Sequence, residues 1–178
     1  MKKILAFILA AVMVLSFAAC GTTEEGGSNE AVKVEGTALE IIDKIYAEKP
    51  VELMLMSSAF ADLDSSMVPS FTGLADDSKL ADGAVSEPMM GSQAYSLVVV
   101  KVNDGEDANA VAQEMLNGIN PAKWICVQAD DVVTAAYGDT VMLFMIFSEL
   151  GNEIGISSDD MVAAFNTAVG GEATVYSK

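Results

Sequence analysis

This sequence contains neither His nor Arg. The main candidates for chemistry are therefore its cysteines, lysines and paired carboxylates. Without His, the chain cannot form a Ser-His or Cys-His nucleophile pair or a histidine-ligated metal site. Without Arg, it has no bidentate guanidinium clamp for a phosphate or carboxylate group. The 26 acidic residues outnumber the nine Lys, and the net charge of −17 disfavours nucleic acid and anionic lipid as partners.

Cys20 ends an N-terminal segment that has the form of a secretory signal. Two lysines precede an apolar run of 16 residues, 4–19, which is shorter than the roughly 20 residues needed to span a bilayer. The run ends Ala18-Ala19-Cys20, which resembles the bacterial lipobox, and the resemblance implies cleavage before Cys20 and diacylation of its thiol. We therefore expect residues 1–19 to be a signal peptide and the lipid on Cys20 to anchor the protein to the outer face of the cell membrane. The alternative is an ordinary secreted protein in which Cys20 has no role.

Cys126 is the thiol that remains after lipidation, and its neighbours predict that it is inert. It lies in the apolar run Trp124-Ile125-Cys126-Val127, whereas a low thiol pKa needs a His, a cation or a helix N-terminus nearby. We therefore expect a buried strand cysteine with no catalytic role, whose alkylation is slow until the protein is denatured.

Four acidic clusters could supply oxygen ligands for Ca²⁺ or a pair of carboxylates for hydrolysis. They are Asp76-Asp77, Asp104 with Glu106-Asp107, Asp130-Asp131 and Asp159-Asp160. The segment 103–107 lacks the residue order of an EF-hand loop. Asp104 and Asp159-Asp160 lie where helices are predicted to begin, and carboxylates there accept hydrogen bonds from free N–H groups. We therefore expect capping and solvation, and we predict no catalytic residue, no metal ligand and no cofactor.

Met89, Met90 and Trp124 form the candidate binding surface. Of the 11 Met, nine lie after residue 19, and several of these fall on predicted core faces, where the flexible side chain fills gaps. Met89 and Met90 differ because they follow Pro88, which restricts a strand to a sheet edge, so we expect them to be exposed. A partner could then add a strand at that edge. Trp124 would supply an aromatic surface.

The elements that must position these residues predict an α+β fold. Residues 20–35 are rich in Gly, Ser, Thr and Glu and predict a flexible acidic tether, followed by a single domain over 36–178. Apolar periodicity predicts helices over 37–49, 105–118 and 158–169. It predicts strands over 84–90, 94–102, 124–128, 132–137 and 141–147. Together these predict an antiparallel sheet of about five strands with two to three helices packed on it.

Several short motifs in the middle of the chain resemble a known family. They are Phe71-Thr72-Gly73, Glu87-Pro88-Met89 before the strand Tyr95–Val102, and Tyr137-Gly138-Asp139 before Val141–Phe147. In these motifs the chain resembles, over residues 39–150, a family of small Gram-positive lipoproteins catalogued only as a domain of unknown function. The resemblance implies one anchored domain, and it implies neither an activity nor any site residues.

The sequence therefore predicts a membrane-anchored extracytoplasmic lipoprotein whose domain binds a partner without catalysis. The expected contacts are the membrane, through the lipid on Cys20, and a protein or cell-wall partner, with no nucleic acid. The alternative is an extracytoplasmic hydrolase that uses carboxylates only, which requires two acidic side chains facing one cleft about 5–10 Å apart.

Overall fold

A computed structural model describes residues 32–178 as one antiparallel sheet of six strands, with helices on both faces. The strands lie in the order β1-β2-β3-β5-β4-β6, and every neighbouring pair is antiparallel. They are β1 (Leu55–Ala59), β2 (Leu80–Pro88), β3 (Tyr95–Val102), β4 (Asp131–Tyr137), β5 (Thr140–Ile146) and β6 (Thr174–Ser177). The same residues contain the α-helices α1 (Ala38–Glu48), α2 (Val68–Thr72), α3 (Ala108–Gly118), α4 (Ser148–Ile154) and α5 (Ser158–Val169).

The predicted α+β class is thus confirmed, with one strand more than expected. The predicted signal peptide, residues 1–19 with its lipobox, lies outside the described residues, as do Cys20 and most of the predicted tether. No helix within residues 32–178 is long and apolar enough to cross a membrane.

Helices α1 and α5 cover one face of the sheet, and both begin at a capping box. In α1, Thr37 accepts a hydrogen bond from the Glu40 N–H, and the Glu40 side chain accepts one from the Thr37 N–H. In α5, Ser157 and Asp160 make the same reciprocal pair. Each helix buries one apolar stripe against the sheet. The stripes are Ala38, Ile41, Ile42 and Ile45 in α1, and Met161, Ala164 and Phe165 in α5.

Helix α3 covers the opposite face, so the central strands are buried on both sides. Its residues Val111, Ala112, Met115 and Leu116 pack over side chains of β3, β4 and β5. This cover explains why β3 and β5 are nearly continuous apolar runs rather than alternating ones. Residues 34–176 supply the buried and partly buried side chains of both hydrophobic cores.

The N-terminal end of the described chain docks at the turn between β4 and β5. The Val34 N–H donates to the Asp139 carboxylate at 3.0 Å, and the Asp139 N–H donates to the Val32 carbonyl at 2.9 Å. Lys101 donates to the carbonyls of Val34 and Gly36. Val34 is buried, so the packed structure begins inside the range that composition assigns to the tether.

Two strands were not predicted, and one predicted strand is absent from the structure. β1 and β6 are the sheet edges, and their short, partly polar sequences give little strand signal. The prediction of a strand over 124–128 is wrong, because this segment belongs to an irregular loop closed by a hydrogen bond from the Ala129 N–H to the Pro121 carbonyl. The apolar sequence there has no strand partner, since β6 rather than this loop pairs with β4.

Candidate binding surface

Five large apolar side chains that are mostly exposed gather at one corner of the sheet, which we call the methionine corner. Their exposed fractions are 72% for Met54, 60% for Met56, 66% for Met89, 58% for Met90 and 72% for Ile125. Only three other large apolar side chains of residues 32–178 are comparably exposed. Large apolar side chains that are exposed near one another are typical of an interaction site.

The register between β1 and β2 brings the methionines together. Leu55 pairs with Pro88 and Met56 pairs with Glu87, and the Met89 N–H donates to the Met54 carbonyl at 3.2 Å, which continues the pairing by one residue. Side chains alternate between the faces of a sheet, so Met54, Met56 and Met89 share one face with Glu87. Met90 follows in the turn to β3.

The loop 121–129 closes the corner from the other side. The Ile125 N–H donates to the Gly91 carbonyl at 3.0 Å, which holds the loop against the turn that contains Met90. Lys123 Nζ lies 2.6 Å from Glu87 Oε1 and 3.3 Å from the hydroxyl of buried Ser96. These contacts fix the loop to β2 and β3.

Lys123 is a mostly buried cation between two aromatic rings. Its Nζ lies 5.3 Å from the ring centroid of Phe71 and 5.2 Å from that of Trp124, both within cation–π range. Burial lowers the pKa of Lys123, and the Glu87 carboxylate opposes that shift. The Lys123–Glu87 ion pair therefore holds half-buried Trp124 beside the methionine corner, and its role is structural.

Of the three residues singled out from the sequence, Met89 and Met90 are exposed as predicted, and Trp124 lies on the adjoining loop. The interpretation of Pro88 is wrong in one respect. β2 is not an edge strand, because β1 covers it, so a partner cannot add a strand at Pro88. Proline is tolerated there because it is the last residue of β2.

Sequence reasoning missed Met54, Met56, Ile125 and Lys123. The run Met54-Leu55-Met56 gave no signal of exposure, since consecutive apolar residues indicate burial on both faces of a strand. The pairing with β2 is non-local and could not be inferred from it.

The methionine corner and the docked N-terminal segment lie at opposite ends of the sheet. β2 begins beside Val102, whose N–H donates to the Asp139 carbonyl at 2.8 Å, and it ends at Pro88. Eight residue steps at about 3.3 Å each separate these ends by about 26 Å. A chain that enters the domain at Val32 therefore reaches it far from the methionine corner.

The acidic clusters serve mainly as caps. The Asp160 carboxylate caps α5, and bonds from Ser157 lower its pKa. Asp130 accepts from the Ser148 N–H at 2.6 Å at the start of α4, and this bond lowers the pKa of Asp130. The capping interpretation needs one correction, because Asp107 caps α3, whereas Asp104 pairs with Lys33. Residues 32–178 contain no group of three His, Cys, Asp or Glu side chains arranged for a metal ion.

No protein-family model matches the chain, and no curated protein or solved structure matches it either. The resemblance to the small Gram-positive lipoproteins therefore stays a prediction.

The expectation of a buried Cys126 is wrong. Cys126 is exposed in the loop 121–129, with a φ of 63°, because this segment lies outside the sheet.

We predict that a chain of residues 21–178, in which Cys126 is the single thiol, reacts with iodoacetamide at pH 8 at close to the rate of the urea-denatured chain. Labelling that needs denaturant would contradict the exposed loop. The Cys126→Ser variant is the blank.

Proposed function

We propose that this protein is an extracytoplasmic lipoprotein, held on the outer face of the cell membrane by the lipid on Cys20. Its α+β domain is a non-catalytic binding module, and the methionine corner is its contact surface. The observation that carries the proposal is the gathering of five exposed large apolar side chains at one corner of an otherwise strongly acidic protein.

The chemistry of the corner favours an apolar segment of a protein partner. Methionine side chains are unbranched and polarizable, so they adapt to different apolar surfaces with little strain. The Glu87–Lys123 ion pair lies beside them and is mostly buried, so it supports the shape of the surface. Nucleic acid is disfavoured as a partner by the net charge of −17.

The position of the corner favours a partner that approaches from outside the membrane. The chain joins the domain at Val32, about 26 Å along the sheet from the end of β2. In a protein anchored through Cys20, the contact surface is then at the end of the domain remote from its attachment. A domain with this layout presents its apolar surface to a partner rather than to its own membrane.

The anchor is tested by expressing residues 21–178 behind an unrelated secretory signal with an efficient cleavage site. We predict that this product appears folded in the medium, while the full chain sediments with membranes, because two acyl chains supply the anchoring free energy at about 0.8 kcal/mol per buried methylene. Sedimentation of the 21–178 product with membranes would contradict lipid anchoring as the sole attachment. If Met89→Lys then releases it, a protein partner is holding it there.

The contact surface is tested with Met89→Lys in the full lipidated chain, purified from its own membranes. The substitution places a charge in the middle of the corner, and we predict that partner affinity falls at least about tenfold while the melting temperature is unchanged. Met67→Lys is the matched control, because Met67 is 43% exposed but lies on neither β1 nor β2. A partner that is retained by Met89→Lys, or lost equally in both variants, would contradict this contact surface.

A further inference from the structure

We infer that the methionine corner also binds a soft monovalent metal ion, Cu(I), through the thioether sulfurs of Met54, Met56 and Met89. This site uses side chains of the proposed contact surface but does not depend on the existence of a partner. It rests on ligand chemistry, on the β1–β2 register and on the exposure of these side chains.

Ligand chemistry selects the metal. Thioether sulfur is a soft ligand that suits Cu(I), whereas Ca²⁺ and Mg²⁺ take oxygen ligands and Zn²⁺ takes thiolate, imidazole and carboxylate ligands. The chain has no His, and residues 32–178 hold no cluster of three His, Cys, Asp or Glu side chains suited to a metal. The corner therefore offers a soft ligand set without the donors that would recruit harder ions.

The register brings the sulfur-bearing side chains within reach of one ion. Met54 lies opposite Met89 across the strands, and directly opposed residues have Cβ atoms about 5 Å apart. Met56 lies two residues along the same face, at about 7 Å. At these spacings, three flexible methionine side chains on one face can bring their sulfurs to one ion by side-chain rotation alone, without any change in the backbone. Met90, in the adjoining turn, is a fourth thioether at the same corner.

Exposure keeps these side chains available. Other methionines of the chain are fully buried and fill the core, as Met115, Met142, Met145 and Met161 do. The methionines of the corner are 58–72% exposed, so turning their sulfurs toward an ion removes little packing.

The overall charge of the protein favours a cation at this surface. The Glu87 carboxylate on the same face is paired with Lys123 and contributes no net charge, so the attraction comes from the chain's net charge of −17. A surrounding negative field raises the local concentration of cations.

The experiment uses residues 21–178, which contain both complete cores, with Cys126→Ser so that no thiol competes for metal. The chain is labelled with ¹³C at the methionine methyl groups and titrated with Ag⁺, which has the ligand preference of Cu(I) without its redox chemistry. We expect the methyl signals of Met54, Met56 and Met89 to shift together to saturation at one ion per chain, with Met67 unmoved. Zn²⁺ and Ca²⁺ should leave all of them unmoved. Shifts spread equally over Met67, or no saturation, would overturn the inference.

Affinity is measured by competition for Cu(I) against a chromophoric chelator under ascorbate. Met54→Leu with Met89→Leu removes two sulfurs while keeping volume and apolarity, and we expect binding to weaken at least about tenfold. Met67→Leu is the control and should bind as the parent does. Unchanged affinity in the double variant would overturn the inference, and Met56→Leu provides the same test if the double variant fails to fold.

The two proposals fail separately. Leucine at positions 54 and 89 keeps the apolar surface, so partner binding should survive it while Cu(I) binding is lost. Met89→Lys tests the contact surface alone: retention of the partner would contradict that surface, whereas the Cu(I) site is contradicted only by the metal titrations.

Discussion

The antiparallel register between β1 and β2 is the constraint on which the candidate site depends. A slip of one residue would send every side chain of β1 to the other face and would disperse the methionine corner. On the opposite face the Ser57 hydroxyl donates to Ser86 across the β1–β2 pair at 2.9 Å, and the hydroxyls of Tyr46 in α1 and Tyr95 in β3 lie 3.2 Å apart. Ser86 and Tyr95 are fully buried, so their hydroxyls need these partners, and burial raises the pKa of both tyrosines. The Ser57–Ser86 hydrogen bond across the β1–β2 pair on one face thereby supports the register that places the exposed methionines on the other face.

Two charged contacts define the ends of the domain. At one end, buried Asp139 accepts a hydrogen bond from the Val34 N–H and lies near Lys101, which fixes where the N-terminal segment joins the domain. An added Cβ at Gly138 would lie 2.1 Å from the Val32 carbonyl, so this close approach requires glycine. At the other end, Lys123 and Glu87 fasten the loop that carries Trp124. The cost of burying these charges is offset because each is paired.

The sequence was most informative where local signals and packing agree. The apolar periodicity of α1 and α5 and the apolar runs of β3 and β5 predicted their elements, because amphipathic helices and doubly covered strands are encoded by nearby residues. The segment around Cys126 was wrongly predicted to be a strand, because its residues favour a strand but no strand of the sheet pairs with them. Met89 could be predicted to be exposed from the adjacent proline, but its companions on β1 depend on a pairing more than 30 residues away along the chain.

Oxidative footprinting in the native envelope most directly tests whether the methionine corner is a functional contact surface. Intact cells and the purified 21–178 chain are exposed to the same dose of hydrogen peroxide, and sulfoxide formation is quantified at each methionine. Met54, Met56, Met89 and Met90 should oxidise more slowly in cells than in the purified chain, with Met67 oxidised equally in both. Equal oxidation of all five methionines in cells and in solution would show that nothing occupies the corner and would contradict its proposed role.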